Sequence, residues 1–178
     1  MATKLETEAT KLGGKALYEQ DYYAWTQAQA AELRRMLQRE ISTALDLARL
    51  AEEVEDLGHR ERDAVRSQVR RIIEHLLKLE YSPASEPRDG WQDTVTDARA
   101  ILEDKLSESL RLDLEATLSR LYEQVLPKAR RALRRFGESA AARDLPSACP
   151  YRLDDICRPE WYPVNRRGIL DVDVTNGG

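Results

Sequence analysis

A chain of 178 residues, 42% of them hydrophobic, is long enough to bury a core within a single domain. With 34% charged and only 6% aromatic residues, it suits a helical bundle with charged outer faces better than a β-sandwich. The formal net charge of −4 gives no general pull toward nucleic acid or anionic membrane, and no apolar run approaches the roughly 20 residues that span a bilayer.

Met1 to Lys15 is polar, mixes charges and lacks the apolar centre of a signal peptide. It predicts a loose arm and a cytoplasmic protein. A first helix follows, from Ala16 or Asp21 to Arg39. Tyr18, Tyr22, Trp25, Ala28, Leu33 and Leu37 recur at helical spacing, and Asp21 suits an inner N-cap. Thr43, three before Asp46, resembles a capping box and places the start of a long helix. Leu47, Leu50, Val54 and Leu57 form one apolar stripe; Val65, Val69, Ile72, Leu76 and Leu79 form another, rotated by roughly 50°. Gly58 sits at the change, where a kink or break is expected at a cost of about 1 kcal/mol. Unbroken, the helix would be about 50 Å long.

Ser82 to Gly90 reads as a loop. A helix from about Trp91 to Leu106 shows Trp91, Val95, Ala98, Ile101, Leu102 and Leu106 on one face. The next begins near Ser107 or Ser109. It keeps its apolar spacing from Leu110 to Phe136, with a kink expected at Pro127 and a stop at Gly137. From Asp144 the chain turns proline-rich. The pattern predicts an extended tail with one helical turn over Leu153 to Cys157, laid across the bundle so as to bury Trp161; Ile169 to Gly178 is expected to be disordered. The thiols Cys149 and Cys157, in a reducing compartment, predict no disulfide. The expected organisation is an arm over 1–15, one helical-bundle domain over 16–163 and a flexible tail over 164–178. The fold class is all-α: an up-and-down bundle of about four to five helices, one very long.

Four constellations carry chemical interest. Glu52, Glu53, Glu55 and Asp56 form an acidic cluster that could serve a hard cation or acid–base work. Most of it faces away from the apolar stripe; Glu53 flanks the stripe, so partial burial and a shifted pKa are expected there. His75 lies at the edge of the second stripe, either as a boundary histidine bonded to a neighbouring helix or as a base or metal ligand. Glu53 and His75 would lie about 33 Å apart on a straight helix, and could meet only through a fold-back near Gly58 or antiparallel packing of two subunits. The basic run from Lys128 to Arg135 has the composition of a phosphate patch, but a helix dipole favours cations in its last turns anyway. Cys149 and Cys157 lack the second pair that zinc requires, and a catalytic thiol would need His75 beside it. Phosphate loops, nucleophile elbows and dinucleotide-binding glycines are missing, so no cofactor is expected.

Several motifs have a familiar order. Tyr18-x-x-Asp21-Tyr-x-x-Trp25 is followed by Leu45-Asp46 and Glu52-Glu53-Val54-Glu55-x-Leu57-Gly58. Then come His75-Leu76-Leu77-Lys78, Trp91-x-x-Thr94-Val95-x-x-x-Arg99, Cys149-Pro150-Tyr151 and Trp161-Tyr162-Pro163. Over Leu17 to Pro163 the chain resembles the bacterial domain-of-unknown-function family number twenty-nine. It departs at Leu79, where that family often has Trp, and at Gly90, where Ser is usual. The resemblance implies an all-helical bacterial protein and no particular activity. It singles out Asp21, Glu53, His75, Lys78 and Arg99 as polar positions that would form a site if they converge.

The leading functional expectation is a protein-interaction or self-association module, with itself as a homodimer or another protein as partner and neither nucleic acid nor membrane. The alternative is a small hydrolase or nuclease-like enzyme with Glu53, His75, Lys78 and Arg99 as catalytic candidates and Glu52, Glu53 and His75 as metal ligands. A third reading is nucleic-acid binding through Lys128 to Arg135.

Overall fold

A computed structural model describes residues 14–168. Every regular element in that span is helical: α1 (residues 14–20), α2 (Tyr22–Gln38), α3 (Leu47–Tyr81), α4 (Arg88–Lys105), α5 (Glu108–Arg135), α6 (Ser139–Asp144) and α7 (Leu153–Cys157). The all-α expectation holds. The chain groups into two compact units. The first comprises residues up to Ala64 with Leu106–Asp113; the second comprises Val65–Lys105 with Leu114 onward. Gly14 and Lys15, expected in a loose arm, are helical; residues 1–13 and 169–178 lie outside the described span.

In the first unit, Asp21 separates α1 from α2 and caps α2, as expected: its Oδ1 accepts from the Ala24 amide at 2.9 Å. The same carboxylate accepts the Ser109 amide at 2.9 Å and the Ser109 hydroxyl at 2.7 Å, so it also neutralises the amino end of α5. Burial acts to raise its pKa, but the Ser109 and Ala24 hydrogen bonds outweigh burial and hold it below the ordinary value. Asp46, rather than Thr43, caps α3: its Oδ1 accepts from the Arg49 amide at 3.1 Å, while the Thr43 hydroxyl serves Leu45.

The long helix does not break at Gly58; α3 runs unbroken for 35 residues. The glycine has another role. A Cβ there would overlap the buried Thr26 hydroxyl of α2 and lie 3.1 Å from the Thr26 Cβ. Gly58 therefore allows α2 and α3 to approach closely. Ala51 is fully buried on the same helix, whereas Leu50 and Leu57 are 38% and 42% exposed. Of the expected stripe, Leu47 is buried and Val54 half-buried, whereas the inward placing of Leu50 and Leu57 is corrected: Gly58 is the residue that meets Thr26 of α2.

In the second unit the expected stripe is the core. Val65, Val69, Ile72, Leu76 and Leu79 are all essentially inaccessible, as are Ile73 and Leu77. α4 starts at Arg88, before the expected Trp91, and Gly90 lies inside it. α5 continues through Pro127. It ends at Gly137, whose φ of 81° lets its own amide reach the Arg134 carbonyl at 3.0 Å while the Glu138 amide reaches Leu133 at 2.9 Å. The short α6 was not expected; α7 occupies its expected turn.

The tail is tied to the second unit. Asn165 donates to the carbonyls of Leu79 and Ser82 at 2.8 and 2.9 Å, and Arg88 donates to Leu79 at 3.0 Å, closing the carboxyl end of α3. Residues 165–167, expected within a flexible tail, are held in place by these bonds and by Arg166 and Arg167. Trp161 is half-exposed, a correction to its expected burial; the buried aromatic of this segment is Tyr151, against which Trp161 stands edge-on at 6.1 Å.

Two outcomes follow from this packing. Gly58→Ala should destabilise the protein by about 1–3 kcal/mol through overpacking, although alanine is the better helix former. A raised thermal midpoint would show that α2 has room to spare. Asp21→Ala should cost about 1–2 kcal/mol per helix end. Because the Asp21 pKa is depressed on folding, its contribution is present above the unfolded pKa and fades as pH falls through the folded value. Urea titrations between about pH 5 and pH 3 should therefore show a steeper loss in the parent than in the variant.

Candidate functional site

The polar constellation of the second unit is built on the last turns of α3. Residues 72–81 are buried on nearly every side, so the carboxylates of Glu74 and Glu80, each 7% exposed, require partners. Glu74 receives Lys78 Nζ at 2.8 Å, one turn along the same helix, and Lys128 Nζ from α5 at 2.7 Å. Burial tends to raise the Glu74 pKa, but the two lysine hydrogen bonds outweigh it and hold the carboxyl below its ordinary value. Glu80 accepts the Tyr151 hydroxyl at 2.8 Å and Arg166 Nε at 2.6 Å, and Arg166 lies over the Tyr81 ring. Burial, and then the Glu80 charge, push the Tyr151 phenol well above its normal range.

Glu74 lies in a cleft of about 530 Å³ lined also by Arg70, Arg71, His75, Lys78 and Lys128. Arg70 reaches across to α5, donating to Gln124 Oε1 at 3.1 Å. His75 Nδ1 lies 2.8 Å from the Arg71 carbonyl. A carbonyl only accepts, so Nδ1 carries the proton and Nε2 is a lone-pair acceptor. The partner is on its own helix, not the neighbouring helix expected. Burial lowers the His75 pKa, with the Arg71 carbonyl opposing and Lys78 reinforcing, which favours the neutral ring. The cleft thus carries four cationic side chains against one carboxylate.

Of the sequence candidates, His75 and Lys78 meet here. Arg99 does not line this cleft. It is buried elsewhere in the second unit, donating to the carbonyls of Ile156 and Asp155 at 2.9 and 3.1 Å, with its guanidinium 5.3 Å from the Tyr162 ring. Glu52 and Glu53 belong to the first unit and are exposed, so the expected partial burial of Glu53 is corrected. The half-buried acid of that cluster is Glu55, paired with Arg34 at 2.5 Å; this hydrogen bond holds its carboxyl below the ordinary range. Among the described residues no group of three or more His, Cys, Asp or Glu side chains is placed to hold a metal. Cys149 and Cys157 are not joined in a disulfide, and burial raises the pKa of Cys149. In the basic run, Lys128 serves Glu74 and Arg130 donates to the Leu145 carbonyl.

Sequence reasoning missed Glu74 and Glu80. The signal was present: Glu74 lies between Ile72-Ile73 and Leu76-Leu77 with Lys78 at i+4, and Glu80 lies between Leu79 and Tyr81. The first unit shows a different feature. Leu37, Ile41, Leu45 and Leu50 are all exposed around the connection between α2 and α3, Leu45 by 60%.

The model of the family described as Domain of unknown function DUF29 matches residues 17–162, and the chain belongs to that family. A crystal structure of an α-helical protein of unknown function from Rhodospirillum rubrum is similar at a TM-score of 0.70 and 25% identity, covering 81% of this chain and 90% of that one. No curated protein matches the sequence. No helix among the described residues is long and apolar enough to cross a membrane.

Glu74→Gln should lower stability at pH 7 by about 1–3 kcal/mol, because two charge-assisted hydrogen bonds weaken at a buried position. Denaturant unfolding measures it; an unchanged midpoint would mean that the lysines do not depend on the acid.

Proposed function

We propose that this member of the DUF29 family is a protein-interaction module that self-associates through the tip of its α2–α3 hairpin. The observation that carries the reading is the exposure of Leu37, Ile41, Leu45 and Leu50 within one short stretch of chain. A singly exposed aliphatic side chain is ordinary, but three leucines and an isoleucine exposed around one connection are the raw material of an interface.

The charges beside the patch favour a second copy as the occupant. Arg39 closes α2, while Asp46 opens α3 and Glu53 follows two turns on, all exposed. Both signs border the same apolar surface. A two-fold contact places the basic end of one hairpin against the acidic start of the other, so the surface complements itself. No observation favours the hydrolase reading, since Glu53 does not line the cleft that holds His75.

Sedimentation velocity across micromolar concentrations tests the proposal. A dimer is expected, and Leu45→Glu with Leu50→Glu should weaken it by about tenfold or more while leaving the helical circular-dichroism signal intact. A strict monomer at all concentrations, or a dimer indifferent to both charges, would sink it.

A further inference from the structure

We infer that the cleft between α3 and α5 in the second unit binds a small phosphorylated molecule, its phosphoryl group held by Arg70, Arg71, Lys78 and Lys128. The inference rests on charge, shape and the way the cations are positioned. Four cationic side chains and one carboxylate leave a large positive excess in a single hollow. Among the described residues, no carboxylate pairs with the guanidinium of Arg70 or Arg71; Arg70 spends a donor on the neutral Gln124 amide. An isolated cluster of this kind repels itself, and a multiply charged anion relieves the repulsion.

The Lys78 side chain is 14% exposed, and that of Lys128, 72% exposed, is anchored at its amino group. The buried Glu74 fixes both amino groups from opposite walls, at 2.8 and 2.7 Å, and leaves each ammonium further protons to donate. Donors therefore converge from two helices. A tetrahedral phosphoryl group presents oxygens in several directions and accepts from both walls, whereas a planar carboxylate accepts chiefly in its own plane. His75 Nε2 adds an acceptor among the donors, suited to a hydroxyl or to a monoprotonated phosphate oxygen.

The size of the hollow favours a small molecule over a polymer. About 530 Å³ is the volume of a ligand pocket, and the chain as a whole is acidic, with a net charge of −4, which disfavours a long polyanion.

The test is isothermal titration of the full chain at low ionic strength with pyrophosphate, citrate and a short single-stranded oligonucleotide as probes. The proposal expects pyrophosphate to bind with a dissociation constant below about 1 mM and to shift the His75 and Lys78 resonances. It expects Arg71→Gln and Lys128→Gln each to weaken that binding by about tenfold. Thermal unfolding of each variant without ligand separates lost recognition from lost folding; Arg71, whose guanidinium is exposed, should unfold like the parent. Three results would overturn the proposal: no pyrophosphate binding at millimolar concentration, citrate binding as tightly as pyrophosphate, or the oligonucleotide binding more tightly than either.

Discussion

The near-complete burial of the last turns of α3 is the constraint from which most of the second unit follows. Ile72, Ile73, Leu76, Leu77 and Leu79 are fully buried, and only a narrow edge of Arg71, His75 and Lys78 reaches the cleft. A surface helix buries one face and wets the other; this segment is apolar around most of its circumference, and each such side chain contributes roughly 1.5–3 kcal/mol by leaving water. Other chain must cover it. α4, α5 and the tail supply that cover, which is why a segment as rich in prolines as residues 146–163 is ordered without long helices of its own.

Covering a helix on most of its sides strands its polar groups. The terminal carbonyls of α3 cannot reach water, so Asn165 and Arg88 satisfy them. The two buried glutamates take the same route with opposite results. Glu80 is closed off by Tyr151 and Arg166, both from the tail, and becomes a latch. Glu74 is met by two lysines at the mouth of an open cleft, so the groups that satisfy it remain available to a ligand. Neither acid offers a metal a second carboxylate.

The all-α class was legible because Val65, Val69, Ile72, Leu76 and Leu79 repeat at a spacing no strand can use. Asp21 and Gly137 were legible as punctuation because a cap and a left-handed stop are chemical requirements at single positions. The first half of α3 was misread for a physical reason. Hydropathy ranks Leu50 and Leu57 above Ala51 and Gly58, yet a tight helix crossing selects for small volume, and the partner's Thr26 is not visible from α3 alone. Glu53 drew attention as one of a conspicuous run of acids, and runs are solvated. The consequential acid, Glu74, is the one acid between Ile72-Ile73 and Leu76-Leu77, and a single acid within such a stretch is the better sign of burial.

The segment His75-Leu76-Leu77-Lys78, part of the family likeness, both packs into the core and lines the cleft. At 100° per residue its two central leucines point into the core, both fully buried, while His75 and Lys78, three apart, return to a common face on the cleft. The leucines anchor the helix, and the anchored helix fixes where the imidazole and the ammonium sit. A substitution at Leu76 or Leu77 would therefore disturb the cleft without touching it. The patch on the α2–α3 connection draws on none of these residues: its leucines lie between 37 and 50, in the other compact unit. The proposed assembly and the proposed ligand recognition thus call on separate side chains, so each can be tested by substitution while the other is measured.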